Sequence, residues 1–123
     1  MIAGAGLDIV EIPRIERVYR RYGARFFEKI LTKVELGIMP VNPVTFLAGR
    51  FAAKEAAVKA LGTGFSGGIS FSDIEIINNR FGAPVLSFTG TAKKVFSSLG
   101  GKAIFISITH ERSLACAMVI LEK

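Results

Sequence analysis

The sequence predicts an α+β fold, with helices packed on one face of a largely antiparallel sheet. Three observations lead there. Val44 to Leu61 is an alanine-rich run that follows Pro40, Asn42 and Pro43 and stops at Gly62, the punctuation of one long helix. The second half holds short β-branched and aromatic runs between turn residues, with Asn78-Asn79-Arg80-Phe81-Gly82 as a hairpin turn. No repeat, low-complexity segment or linker divides the 123 residues, so one domain over 1–123 is expected.

The elements follow in order. Ile2 to Asp8 reads as a short buried strand. Pro13 suits the first position of a helix carrying Arg14, Arg17, Arg20 and Arg21, with Arg25 just past Gly23. Phe26 to Leu31 is a short apolar helix, and Thr32-Lys33-Val34-Glu35 has the spacing of a capping box. After the long helix, Gly67 and Gly68 release into a strand over Ile69 to Ile77, and the hairpin turn leads into Pro84 to Phe88. Thr91 to Leu99 is a helix ended by Gly100 and Gly101. Ala103 to Ile108 and Leu114 to Leu121 are strands joined by a polar turn, Thr109 to Ser113.

Half of the residues are hydrophobic, including ten Phe, a high share for so short a chain. The excess predicts an oligomer interface or a binding groove. No apolar run approaches the roughly 20 residues that span a bilayer, so no membrane partner is expected. The N-terminus lacks a basic lead and meets Asp8 early, unlike a signal peptide. A cytoplasmic location is expected, with the lone Cys116 as a buried, inert thiol. Sixteen Lys and Arg against ten Asp and Glu give a net charge of +6, which suits nucleic acid, a phosphorylated cofactor or an acidic protein.

On a helical wheel of about 100° per residue, Leu47, Phe51, Val58 and Leu61 form one stripe. Lys54 falls inside it and Arg50 at its margin, while the alanines fill most of the other side. Glu55 and Lys59 fall on the seam, so the helix has no ordinary polar face. Two readings are open for them. One is an i,i+4 surface pair worth a few tenths of a kcal/mol. The other is a carboxylate holding a metal beside an ammonium that neutralises phosphate. Gly62, Thr63 and Gly64 make either a C-cap and turn or a loop whose amides cradle phosphate. Asp8 either caps a turn or supplies a second oxygen ligand to Mg²⁺, and His110 is either a turn residue or a phosphate-binding and proton-transferring one.

Three segments taken together, GAGLDIVEIPRIE, FLAGRFAAKEAAVKALGTG and ISITHERSLACAMVIL, resemble the holo-[acyl-carrier-protein] synthases, the short trimeric class of 4′-phosphopantetheinyl transferases. FSDIEIINNRFGAPVL resembles that family's central hairpin, so the likeness covers nearly the whole chain. It implies the transferase fold in a homotrimer. It also implies Mg²⁺-dependent transfer of phosphopantetheine from coenzyme A to a serine of apo-acyl carrier protein, releasing adenosine 3′,5′-bisphosphate, in support of fatty acid synthesis. By motif, Asp8 and Glu55 correspond to metal ligands, and Lys59 to the lysine that stabilises or protonates the departing phosphate. His110 corresponds to a histidine beside the coenzyme A phosphates, reaching the site from a neighbouring subunit. Gly62, Thr63 and Gly64 match the loop by the nucleotide, with Arg50 and Lys54 in the same block. Catalytic roles are therefore expected of Glu55, Lys59 and His110, with Glu55 or a metal-bound water as the base.

The resemblance also gives the arginine-rich helix a purpose. Acyl carrier proteins are acidic, so Arg14, Arg17, Arg21 and Arg25 form an expected docking surface with Phe26 as an apolar contact. Gly37 to Val44 departs from the family pattern, being uncharged and bearing prolines. Two other classes fit the sequence less well. An RNA-binding module would interleave aromatic and basic residues on a sheet face, whereas the runs around Phe71, Phe88 and Phe105 are aliphatic. An inactive structural trimer would have no need of Asp8, Glu55, Lys59 and His110 together.

Overall fold

The computed structural model describes Met1–Lys123 as β1 (Ile2–Glu11), α1 (Ile12–Tyr22), α2 (Ala24–Ile30), α3 (Lys33–Gly37), α4 (Val44–Leu61), β2 (Ile74–Asn78), β3 (Pro84–Phe88), α5 (Gly90–Ser98), β4 (Ala103–His110) and β5 (Leu114–Glu122). All strand pairing is antiparallel, in a three-stranded sheet of order β1-β5-β4 and a separate hairpin β2-β3. The sequence suggested one sheet. The hairpin stands apart because side chains occupy one edge of β2: the Ile76 amide donates to Glu35 Oε2, and Arg50 donates to the Ile76 carbonyl. An edge satisfied in this way has no need of another strand.

The alternation of β5 explains the layering. Ala115, Ala117, Val119 and Leu121 are buried against α4, whereas Cys116, Met118 and Ile120 point to the opposite face. There they share cross-strand rows with Ala5, Leu7 and Ile9 of β1 and with Phe105, Ser107 and Thr109 of β4. That face is apolar and open, with Leu7, Ile9 and Phe105 exposed by 61%, 62% and 54%. Cys116 is accordingly half-buried rather than buried, a correction to the expectation for it.

Helix α4 starts after Pro43 and ends where Gly62 turns left-handed, at φ +82°. Among its residues only Thr45 and Lys59 are exposed. It lies on β1 and β5, and its approach to β1 is one that side chains would forbid. A Cβ on Gly6 would stand 1.8 Å from the Ala56 carbonyl oxygen, and one on Gly4 2.0 Å from that of Ala60. The glycines of β1 and the alanines of α4 therefore belong to one contact.

Among the boundaries that moved, three stand out. β1 continues to Glu11, so Asp8 lies inside the strand opposite Ala117 and does not end it. The strand expected from Ile69 begins only at Ile74, because Ser70 and Asp73 close a capping box around a short 3-10 turn, Phe71–Asp73. His110 closes β4 opposite Ala115, leaving Glu111 to Ser113 as the turn.

Candidate active site

The close approach of β1 to α4 brings Asp8 beside the last turns of the helix. Lys59 Nζ donates to Asp8 Oδ1 at 2.9 Å and to the Leu7 carbonyl at 3.0 Å. The lysine therefore leaves its own helix for β1, and the i,i+4 pair with Glu55 is not the contact formed. The pair with Asp8 is largely open to solvent on the lysine side, so its net contribution to stability is small.

Glu55 sits one turn before Lys59 and is half-buried. Burial holds its carboxyl above the usual glutamate range, and the neighbouring Asp8 pushes the same way against the opposing pull of Lys59. Two carboxylates thus face one ammonium at the rim where α4 meets β1. No cluster of three or more acidic, histidine or cysteine side chains forms. A donor set of two carboxylates suits Mg²⁺, which takes its remaining ligands from water and substrate phosphates.

His110 is exposed, with no hydrogen bond to its side chain, at the far side of β5 from Asp8. One chain therefore does not bring it to the other three. The arginines expected to dock a partner, Arg14, Arg17, Arg21 and Arg25, are all exposed. Arg25 and Phe26, with Tyr22 and Lys29, line a cleft of about 280 Å³.

Several expectations are corrected. Lys54 is not exposed to phosphate: it is completely buried, and its ammonium donates to the Ile30 carbonyl, Glu35 Oε1 and the Phe71 carbonyl at 2.6, 2.6 and 3.1 Å. Its pKa is lowered by burial, against the pull of Glu35. Arg50 is also buried, stacked over the Phe46 ring, with its Nε lacking a partner. The amides of Gly62, Thr63 and Gly64 all turn back to the Val58 carbonyl and so cap the helix.

The model of the 4′-phosphopantetheinyl transferase superfamily matches residues 4–119, the span that contains every one of these positions. The chain belongs to that superfamily. Within it, the chain is 56% identical to the holo-[acyl-carrier-protein] synthase of Maridesulfovibrio salexigens over 124 aligned positions, covering 100% of both chains. It is 54% identical to that of Nitratidesulfovibrio vulgaris, covering 99% of each. Among solved structures it superposes on the Neisseria meningitidis enzyme with a TM-score of 0.91 at 40% identity over 100% of both chains. The Helicobacter pylori enzyme, crystallised with coenzyme A, gives 0.86 at 32% identity, covering 96% of this chain and 99% of that one.

Sequence reasoning missed one member of the transferase's polar core. Glu35 is fully buried and receives Lys54, the Thr32 amide and the Ile76 amide. The signal was present: a lysine inside the apolar stripe needs a buried acid, and Glu35 is the acid of the capping box. Removing either partner alone strands a buried charge, at a cost of about 3–5 kcal/mol.

Proposed function

We propose that this chain transfers the 4′-phosphopantetheine group of coenzyme A to a serine of an apo-acyl carrier protein, releasing adenosine 3′,5′-bisphosphate. The observation that carries the reading is the meeting of Asp8, Glu55 and Lys59 at one rim, in a chain whose relatives are holo-[acyl-carrier-protein] synthases. Asp8 and Glu55 would hold Mg²⁺, which when bound neutralises the pyrophosphate oxygens.

The chain's own groups do the rest. The serine oxygen attacks the phosphorus that bears pantetheine, and the bond from that phosphorus to the oxygen of the adenosine bisphosphate breaks. The serine proton passes to Glu55 or to a water at the same rim. Lys59 exchanges Asp8 for the departing phosphate, which it neutralises or protonates. His110 approaches the coenzyme A phosphates from a neighbouring subunit of a homotrimer. The open apolar sheet face and the distance of His110 from Asp8 support that arrangement. The loop Gly62 to Gly64 flanks the nucleotide.

The exposed arginines of α1 and α2 and the cleft around Phe26 receive the acidic carrier. The whole chain acts as one transferase domain in the cytoplasm, supplying carriers for fatty acid synthesis. No helix is long and apolar enough to cross a membrane.

The test uses the purified chain with coenzyme A, Mg²⁺ and an apo-acyl carrier protein, and weighs the carrier by mass spectrometry. The expected result is the mass increase of one phosphopantetheine. Unmodified carrier across several carrier proteins, where another transferase succeeds, would sink the reading.

A further inference from the structure

Helix α4 has an unusual problem of orientation. A helix with one apolar stripe is oriented by burying that stripe, but α4 is apolar almost all round. Ala52, Ala53, Ala56, Ala57 and Ala60 are all buried, and a small turn about the helix axis replaces one alanine methyl by another. Yet the candidate site needs one rotation in particular, since Glu55 and Lys59 meet Asp8 at a single rim. Directional bonds must supply what apolar packing leaves loose.

The strongest such bonds come from Lys54. Each of its three ammonium protons meets an oxygen of a different segment: the last residue of α2, Glu35 in α3, and the carbonyl of Phe71 in the 3-10 turn. The acceptor in α3 is itself held rigid, because Glu35 Oε1 also takes the Thr32 amide and Oε2 takes the Ile76 amide. From Lys54, Glu55 lies about 100° and Lys59 about 140° further round the helix. The ammonium thus pins the helix on the side away from β1.

We propose that Lys54 is a positioning residue for the transfer reaction: its buried ammonium, held by Glu35, fixes the rotation of α4 that turns Glu55 and Lys59 toward Asp8. The inference rests on the reading of that rim as the reaction site. A buried ion pair is a poor source of stability, and replacing both partners by neutral groups of like volume is often tolerated. What such a pair supplies well is register, and here register is what the reaction requires.

The test is the double variant Lys54→Met/Glu35→Gln, which removes both charges together. It should fold cooperatively in denaturant. At temperatures where it is fully folded, kcat should fall by about tenfold or more while KM for coenzyme A stays within about twofold, as expected for misplaced reacting groups. A merely structural pair would change the denaturation midpoint and leave kcat per folded molecule at the parent value, and that result would overturn the proposal. Should that double variant fail to fold, Lys54→Gln/Glu35→Gln keeps both positions polar and neutral, with an amide to bond the Ile30 or Phe71 carbonyl. Its kcat should then fall severalfold at unchanged KM, and a parental kcat would equally overturn the proposal.

A crystal structure of the folded variant reads the geometry without the reaction. The contact of Lys59 with Asp8 should be lost or displaced, and α4 kept in its parental rotation would sink the idea. Absence of transfer by the parent chain would count against the proposed function, and the crystallographic result would still decide the role of Lys54.

Discussion

Glu55 carries its charge at a position that resists it. Its carboxyl is raised chiefly by burial and then by Asp8, so the folded chain binds that proton more tightly than the unfolded chain does. Between the ordinary value of 4.5 and the raised one, stability therefore falls as pH climbs. Glu55→Gln removes the penalty. Denaturant melts at neutral pH should show the variant somewhat more stable than the parent, with the difference vanishing as pH drops below 4.5, while phosphopantetheine transfer is lost. Equal melting at neutral pH with unchanged turnover would return Glu55 to an ordinary surface acid. This residue was legible from the sequence because a helical wheel needs only local spacing. The partner of Lys59 was not, since which carboxylate the ammonium reaches depends on how closely β1 approaches, and that is a property of two segments far apart in the chain.

At the scale of elements, the spacing between β1 and α4 is set by backbone against backbone. Gly6→Ala would push a methyl into the Ala56 carbonyl, and neither the strand nor the helix can yield without moving Asp8. The expected cost is about 3 kcal/mol or more, read as a lowered denaturation midpoint. Gly37→Ala, where an added Cβ meets nothing within 4 Å, should leave the midpoint nearly unchanged. Equal effects of the two would mean that the sheet and helix are loosely docked. The bounds of α4 were readable because Pro43 and Gly62 act locally, as was the capping box of Thr32 and Glu35. The start of β2 was not, since apolar Ile69 and Phe71 look like strand while Ser70 and Asp73 hold them in a turn. Nor was the separation of the hairpin from the main sheet, which depends on Glu35 and Arg50 reaching the edge of β2 from other elements.

For the whole molecule, the hydrophobic excess of the composition reappears as the open face that carries Leu7, Ile9, Phe105 and Met118. An apolar sheet face of this kind suits a second and third copy of the chain, and in the proposed homotrimer His110 at the outer strand would approach the Asp8 rim of a neighbour. This arrangement makes a prediction that no single-chain site can meet. Asp8→Asn and His110→Ala should each be inactive, because each damages every site of its own trimer. When the two variants are unfolded together and refolded as a mixture, some sites will join the intact Asp8 of one chain to the intact His110 of another. Random assembly at equal amounts restores about a quarter of the sites, since each intact half is drawn with even odds. Transfer activity should therefore rise from near zero to about a quarter of the parent's, a recovery that neither variant gives alone. If the mixture stays inactive while size-exclusion chromatography shows trimers formed, His110 serves its own chain or serves no site, and the shared-site arrangement fails.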